Sequence, residues 1–285
     1  MKKKEMKIDI NYSCPFHYIG SKSQLLPILL DIFEEHSNRT FYDLFAGGFS
    51  VGSNVTNQKV IYNDINTDIC NLIKLIDEIG INKYLTKIKK KINEYSLSKT
   101  NLGGYLQLRM DFNNNKDPIL FSLLIFYSFN HQIRYNKSGI FNTPFGKNRS
   151  SFNESTEGKL INFYEKIKSK NISFCSCSYD LIKIEANALV YVDPPYLLTT
   201  GSYNDGKRGV SSWSENDEVN LYKYLDKLNE KNIPFVLSNM LSRNDLVNKI
   251  LLEWSNKYQV IDVTTKYRNY QKKKCFDKEI IVKNF

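Results

Sequence analysis

The chain has 285 residues, enough for one large α/β domain carrying an insertion or for two modest domains. Its 41% hydrophobic and 13% aromatic content fits a packed globular protein and excludes a disordered one. Lys and Arg outnumber Asp and Glu by 40 to 30, giving a net charge of +10. That surplus fits either a polyanionic partner, whose counterions are released on binding, or simply a solvated basic face.

No apolar run reaches the roughly 18 residues needed to span a bilayer, and Met1-Lys2-Lys3-Lys4-Glu5 lacks the apolar stretch of a signal peptide. A cytoplasmic protein with no membrane partner is expected. Cys14, Cys70, Cys175, Cys177 and Cys275 are scattered, and no second cysteine pair or histidine cluster completes a zinc site. Reduced structural thiols and no metal are therefore expected, although a strand would point Cys175 and Cys177 to one face. His17, His36 and His131 lie near no nucleophile, which argues against a histidine-driven hydrolase.

In chain order, Leu25 to Glu35 reads as an amphipathic helix after a Gly20-Ser21-Lys22 loop. Phe41 to Phe45 is strand-like and runs into Ala46-Gly47-Gly48, and Val60-Ile61-Tyr62 is a second strand stopped by Asn63-Asp64. Strand, glycine turn, helix and strand together predict the opening of a parallel sheet. Residues 69–95 are helical in pattern and rich in lysine, and Pro118 to Phe129 predicts a buried helix that begins at a proline. From 131 to 152 the chain turns polar and basic, with Asn136-Lys137-Ser138-Gly139 between two strand-like pieces, a hairpin signal. The sheet resumes at Ile172 to Cys175, Ala188 to Val192, Phe235 to Ser238 and Glu279 to Val282, while Ser214 to Asp217 opens a helix with capping-box spacing. These elements read as one discontinuous α/β domain, residues 1–68 and 166–285, with 69–165 inserted as a second unit.

The sharpest feature is Val190-Tyr191-Val192-Asp193-Pro194-Pro195-Tyr196. An apolar strand here delivers a carboxylate, two prolines and an aromatic ring to its carboxyl end, where open α/β sheets bind ligands. Each proline holds the residue before it extended, and neither has an N–H, so nearby carbonyl oxygens stay free to accept. A carboxylate beside a bare carbonyl can accept both protons of an amino group. That engagement disfavours delocalisation of the nitrogen lone pair and leaves it aimed at an electrophile. Tyr196 can stack on the heterocycle bearing the amine, as in enzymes that take a base out of the helix. The plainer alternative is a rigid proline turn capped by Asp193.

The second feature is Asp43-Leu44-Phe45-Ala46-Gly47-Gly48-Phe49-Ser50-Val51-Gly52, with Asp64 about 20 residues on, where an acid holds ribose hydroxyls in such folds. Its spacing misses the dinucleotide fingerprint, so nucleotide or adenosyl binding and a plain tight turn both remain open. The third is His17-Tyr18-Ile19-Gly20-Ser21-Lys22, which can set an ammonium on a ligand carboxylate and a ring on its base, or be an ordinary loop.

These three blocks, in this order, resemble the Dam-type family of DNA adenine-N6 methyltransferases, particularly its phage members. The blocks are Tyr18 to Lys22, Phe45 to Gly48 and Asp193 to Tyr196 around a central segment. The likeness extends to Leu97-Ser98-Lys99-Thr100, Thr143-Pro144-Phe145-Gly146 and Leu237-Ser238-Asn239, and so covers most of the chain. It implies an α/β fold: a Rossmann-like, S-adenosylmethionine-dependent methyltransferase sheet with a helical and β-hairpin DNA-recognition domain inserted after the second strand.

By resemblance, Tyr18, Lys22, Phe45, Ala46, Gly47, Gly48, Asp64 and Asp193 are expected at the cofactor, and Asp193, Pro194, Pro195 and Tyr196 at the methyl-transfer site. Arg134, Asn136, Gly139, Phe141, Pro144, Phe145 and Gly146 meet the family's hairpin pattern, in which the arginine reads guanine. Phe129-Asn130 matches a pair that enters the duplex. Phe129, Asn130, Arg134, Asn136, Pro144 and Lys147 are thus expected on double-stranded DNA. Read from the residues alone, Arg134 can instead hold a phosphate, and Phe129 can close the preceding apolar helix.

His17 stands where the family often has a basic residue that reads the outer guanine, and Asp205 to Ser212 looks like an added loop that orders on DNA or the flipped base. The family's commonest site is GATC, expected here, with the protein acting as a monomer or weak dimer on DNA. Two alternatives are an RNA adenine methyltransferase and a DNA-binding module of the same fold without catalysis.

Overall fold

The computed structural model describes residues 14–16, 22, 24–202, 213–263 and 277–285, with only the backbone of 200–202. One sheet contains β1 (Thr40–Asp43), β2 (Lys59–Asn63), β3 (Asn171–Cys175), β4 (Ala188–Val192) and β5 (Phe235–Arg243). It is completed by a short β6 (Leu246–Val247), β7 (Gln259–Asp262) and β8 (Lys278–Lys283). The order is β3-β2-β1-β4-β5-β8-β7, with β6 pairing off the edge of β5. Strands β1 to β5 run parallel, while β8 lies antiparallel to both β5 and β7. Strand order reverses between β1 and β4. The chain winds outward through β2 and β3 on one side and through β5 on the other, so a crevice opens at the carboxyl ends of this pair.

The central strands are buried on both faces, and their side chains divide by parity. Phe41, Leu189, Tyr191 and Val236 join one core, while Tyr42, Ala188, Val190, Val192, Phe235 and Leu237 join the other. Against the first face lie α1 (Leu26–Glu34), α2 (Thr67–Ile79), α3 (Ile81–Glu94), α4 (Leu102–Asn115), α5 (Pro118–Tyr127) and α6 (Glu154–Ile167). Against the second lie α7 (Glu215–Glu230) and α8 (Lys249–Ser255). The segment 69–165 therefore shares one continuous core with a face of the sheet.

Helix α5 is apolar nearly all round, and every residue from Ile119 to Tyr127 is buried, as a helix wrapped by sheet and helices requires. Asp117 caps it through Ile119 N at 2.7 Å, and Pro118 occupies the first turn, where its missing N–H costs nothing. The lysine-rich stretch after residue 69 divides into α2 and α3 because Gly80 adopts φ 75°, a conformation that ends one helix and starts the next. Ser214 and Asp217 complete the capping box of α7.

Two expectations are corrected. No α-helix joins β1 to β2; residues 44–54 form a series of turns, and Phe49 within them takes the left-handed φ of 66°, outside the range of a right-handed helix. The expected hairpin at 131–152 has its turn, with Asn136 N donating to Ile140 O at 2.9 Å, but its arms are reduced to the isolated bridges Ser128–Phe145 and Tyr135–Phe141. Asn113 of α4 replaces a strand partner there. Its carboxamide exchanges hydrogen bonds with Phe141 N and O at 2.9 and 3.0 Å.

Among the described residues no helix is long and apolar enough to cross a membrane, and no His, Cys, Asp and Glu group is arranged to hold a metal ion. Among the described residues, Cys14, Cys70, Cys175 and Cys177 form no disulfide with one another. Because β3 ends at Cys175, Cys177 lies beyond the strand, against Asn63.

Candidate active site and nucleic-acid interface

At the carboxyl end of β4, Asp193 emerges beside the end of β1. Its Oδ2 is 2.9 Å from the Lys22 ammonium, while its Oδ1 is buried and has no hydrogen-bond partner among the described residues. The Asp193 side chain is 16% exposed, and that of Lys22 only 6%. Burial pushes the Asp193 carboxyl up to about 6, with Lys22 pulling it down and Glu279 pushing it further up. Tyr196 follows the two prolines, and its hydroxyl donates to Glu279 Oε1. The Lys22 ammonium lies 4.8 Å from the centre of the Tyr196 ring and 3.6 Å from Glu279 Oε1. The structure thus brings together Lys22, Asp193 and Tyr196 from distant parts of the sequence. Tyr18 and His17 lie outside the described residues, as does the 205–212 loop.

Below the same crevice, Asp64 at the end of β2 fastens the glycine loop. Its Oδ2 accepts Gly47 N at 2.8 Å and its Oδ1 accepts Asn66 N at 2.8 Å. Gly47 takes φ 50°, and its carbonyl accepts the Tyr62 hydroxyl at 2.8 Å. Ala46 N reaches Asn63 O at 2.9 Å, and Gly48 O accepts the Cys14 thiol at 2.8 Å. The Phe45 ring leaves the loop on the opposite side, against Tyr179 at 5.4 Å and Trp213 at 5.8 Å.

Asp43 closes the other end of the loop by accepting Gly52 N at 3.0 Å. A Cβ at Gly52 would come within 2.2 Å of the Phe49 ring, so the close approach requires glycine. Burial raises the Asp43 carboxyl to about 8; the Gly52 hydrogen bond opposes the rise, and the nearby Asp193 and Asp64 charges add to it.

The basic segment after α5 presents a different surface. Phe129 is 40% exposed, and Asn130 takes φ 52° beside it. Arg149 spans both, with its guanidinium 5.0 Å from the centre of the Phe129 ring and Nη1 3.3 Å from Asn130 Oδ1. Arg134 is exposed and is held by Asn142, with Nε 3.0 Å from Oδ1 and Nη2 3.2 Å from the carbonyl. Asn136 turns its Oδ1 inward to Ser138 N and Ile140 N at 2.9 and 3.0 Å, so it shapes the turn. Pro144 and Lys147 are exposed, and Pro144 O accepts Phe129 N at 2.7 Å, joining the two ends of the segment.

Comparison with known proteins fits this arrangement. The family model described as D12 class N6 adenine-specific DNA methyltransferase matches residues 18–269. The chain belongs to that family. It is 39% identical over 277 residues to the type II methyltransferase M.FokI of Planomicrobium okeanokoites, covering 95% of this chain and 42% of that protein. The modification methylase StsI of Streptococcus sanguinis is 38% identical over 278 residues, with the same coverage of each chain. The DNA adenine methylase of Escherichia coli (strain K12) is 30% identical over 227 residues, covering 75% of this chain and 78% of that one. The chain thus spans about two-fifths of the length of the first two relatives, 42% of each, and most of the third.

Within this D12-class member, four residues lie at the crevice or in the basic segment without having stood out in the sequence. Glu279 sits in an apolar strand, where its only signal was a charge beside Ile280-Ile281-Val282. Asp43 was visible at the head of its motif but carried no assigned role. Asn142 and Arg149 gave no signal, because their partners Arg134 and Asn130 are 8 and 19 positions away on an irregular path.

Proposed function

We propose that this chain transfers a methyl group from S-adenosylmethionine to the N6 amine of an adenine turned out of duplex DNA, within GATC. One observation carries the reading: Asp193 has one oxygen neutralised by Lys22 and the other buried without a hydrogen-bond partner among the described residues, at the crossover of the sheet. A buried acceptor left unpaired costs about 1–3 kcal/mol, a cost that an entering N–H donor relieves. An exocyclic amine supplies that donor. The carbonyls of the Pro194–Pro195 step accept a second proton, and the Tyr196 ring offers a stacking face.

The residues present fit the cofactor. When bound, S-adenosylmethionine supplies an electrophilic methyl group. Lys22 with Tyr18, the Phe45, Ala46, Gly47 and Gly48 loop, and Asp64 would hold it beside Asp193. Each Asp64 oxygen accepts one backbone N–H, and a carboxylate at this strand end would suit a ribose hydroxyl as a further donor. Before transfer, Asp193 orients the amine by accepting its proton, a task that needs the ionised carboxylate. Residues 1–68 and 166–285 serve as the catalytic unit and 69–165 as the recognition unit, with Phe129 and Asn130 entering the duplex and Arg134 reading a guanine. Asn136 shapes the recognition turn, Pro144 braces Phe129, and Lys147 holds a phosphate. The protein works as a monomer or weak dimer.

Adenine-methylation sequencing of DNA from cells expressing this chain tests the reading. Methylated adenine in GATC is the expected outcome. Methylated adenine in a different motif would displace GATC and keep the chemistry, whereas methyl groups confined to RNA, or absent, would overturn the proposal.

A further inference from the structure

Glu279 belongs to none of the blocks that carry the methyl-transfer chemistry, yet it touches two residues that do. It lies in β8 opposite Met240 of β5 and is 7% exposed. Its Oε1 accepts the Tyr196 hydroxyl and stands 3.6 Å from the Lys22 ammonium. That ammonium in turn lies 2.9 Å from Asp193 Oδ2 and 4.8 Å from the centre of the Tyr196 ring. One oxygen of Glu279 therefore ties down the ring from its hydroxyl end and shares the cation that neutralises the acceptor. A buried carboxylate costs several kcal/mol of desolvation, and replacing such charges with packed apolar side chains is often neutral or stabilising. On stability alone, such a charge has no advantage over an apolar residue continuing the run of Ile280, Ile281 and Val282.

We propose that Glu279 is a positioning residue for methyl transfer. By fixing the Tyr196 hydroxyl and the Lys22 ammonium, it makes the ring and the Asp193 carboxylate meet the target base in one relation. The inference rests on the reading of Asp193 as the acceptor of the target amine. A tyrosine ring anchored at both ends cannot tilt, and small misplacements of reacting groups are costly in rate. Lys22 and Glu279 face Asp193 with opposite charges, the Tyr196 hydroxyl faces it from the same strand end, and Tyr191 and Asp43 face it from β4 and β1. Removing the Glu279 charge takes away a negative neighbour that pushes the Asp193 carboxyl up, so the acceptor ionises at lower pH.

The test is steady-state methyl transfer to duplex DNA across the pH range for the wild type, Glu279→Gln, Tyr196→Phe and the double variant. Each single change is expected to lower kcat about tenfold to a hundredfold while leaving KM for DNA and cofactor affinity within about twofold. The double variant should be little slower than the worse single, because both changes cut the same hydrogen bond. In Glu279→Gln the acid limb of the rate profile should move to lower pH. An unchanged kcat with an unmoved limb, or multiplied losses in the double variant, would overturn the inference. Should Glu279→Gln fail to fold, Tyr196→Phe decides alone: full kcat in that variant is equally fatal. A wild-type chain with no turnover on any DNA overturns the methyltransferase reading itself, whereas an active wild type with an indifferent Glu279→Gln overturns only the positioning role.

Discussion

At the end of β4 the charged groups are buried and paired. Lys22 sits between Asp193 and Glu279, Glu279 holds Tyr196, and one acceptor atom is left over. In the segment from Phe129 to Arg149 the backbone is tied as firmly, through Phe129 to Pro144, Gly146 to Tyr127 and Asn142 to Arg134. Its charged side chains, however, stay at the surface. Under the proposed function, the difference follows from what each region would meet. A small polar group entering a low-dielectric crevice is recognised by pairing, so the crevice gains from being built in advance. A polyanion arriving with its own counterions is drawn in by exposed cations, which water solvates at little cost until it comes. Changes in the first region should therefore strike rate, and changes in the second should strike affinity, sequence choice and salt dependence.

The largest effect is expected from Asp193→Ala. It removes the acceptor and leaves the exposed basic segment untouched, so methyl transfer should fall at least about a hundredfold while nonspecific DNA binding persists. Labelled-methyl incorporation and a gel-shift titration measure the two sides. In the wild type the rate should rise as pH climbs through about 6, because burial lifts the Asp193 carboxyl there and only its ionised form accepts the amine. Near-normal turnover in Asp193→Ala would dissolve the contrast between the regions.

Asp64→Ala comes next. It strips a charged acceptor from Gly47 N and Asn66 N and from the expected ribose contact. Cofactor affinity should weaken by about 1.5–3 kcal/mol, read by calorimetry without DNA. An unchanged affinity would mean that Asp64 serves the loop and not the ligand.

How far the sequence already spoke differs between the two regions. The Asp193-Pro194-Pro195-Tyr196 run and the Phe45 to Gly48 loop were legible because each is a local pattern whose chemistry and turn geometry sit within a few residues. Glu279 was not, since its contact with Tyr196 spans 83 positions and exists only once β8 has inserted antiparallel beside β5. In the basic segment the Asn136 turn was legible, but the strands beside it were not to be found, because Asn113 supplies the hydrogen bonds that a partner strand would give Phe141. Between β1 and β2 the glycine-rich stretch was read as leading into a helix, whereas the chain makes turns that include a left-handed Phe49.

Arg134 sharpens the comparison from the recognition side. Its guanidinium is steadied by Asn142 yet remains exposed, so its planar fork is presented to whatever docks. Arg134→Ala should cost about 1–3 kcal/mol on the cognate site and relax discrimination at one G·C pair. Methylation rates on a panel of single-base variants check this. Equal slowing on every variant would reassign Arg134 to the phosphate backbone.

The smallest effect belongs to Lys147, three residues beyond Pro144 and exposed on the same segment. Among the described residues its ammonium makes no ion pair or hydrogen bond, which suits a side chain that waits in water for a phosphate. A contact of this kind carries no base information, so Lys147→Ala should weaken binding to all duplexes alike. Its effect should shrink as salt rises, because the released counterion is what makes the contact favourable. The slope of log affinity against log salt should accordingly fall by about one. Fluorescence titrations of the wild type and Lys147→Ala with cognate and scrambled duplexes, each at several salt concentrations, give both quantities. A loss confined to the cognate duplex, with the slope unchanged, would make Lys147 a base reader and extend sequence recognition past the Arg134 turn. A uniform loss with the reduced slope would leave reading to Arg134 and anchoring to Lys147, the division of labour expected of a surface that first attracts a polyanion and then inspects it.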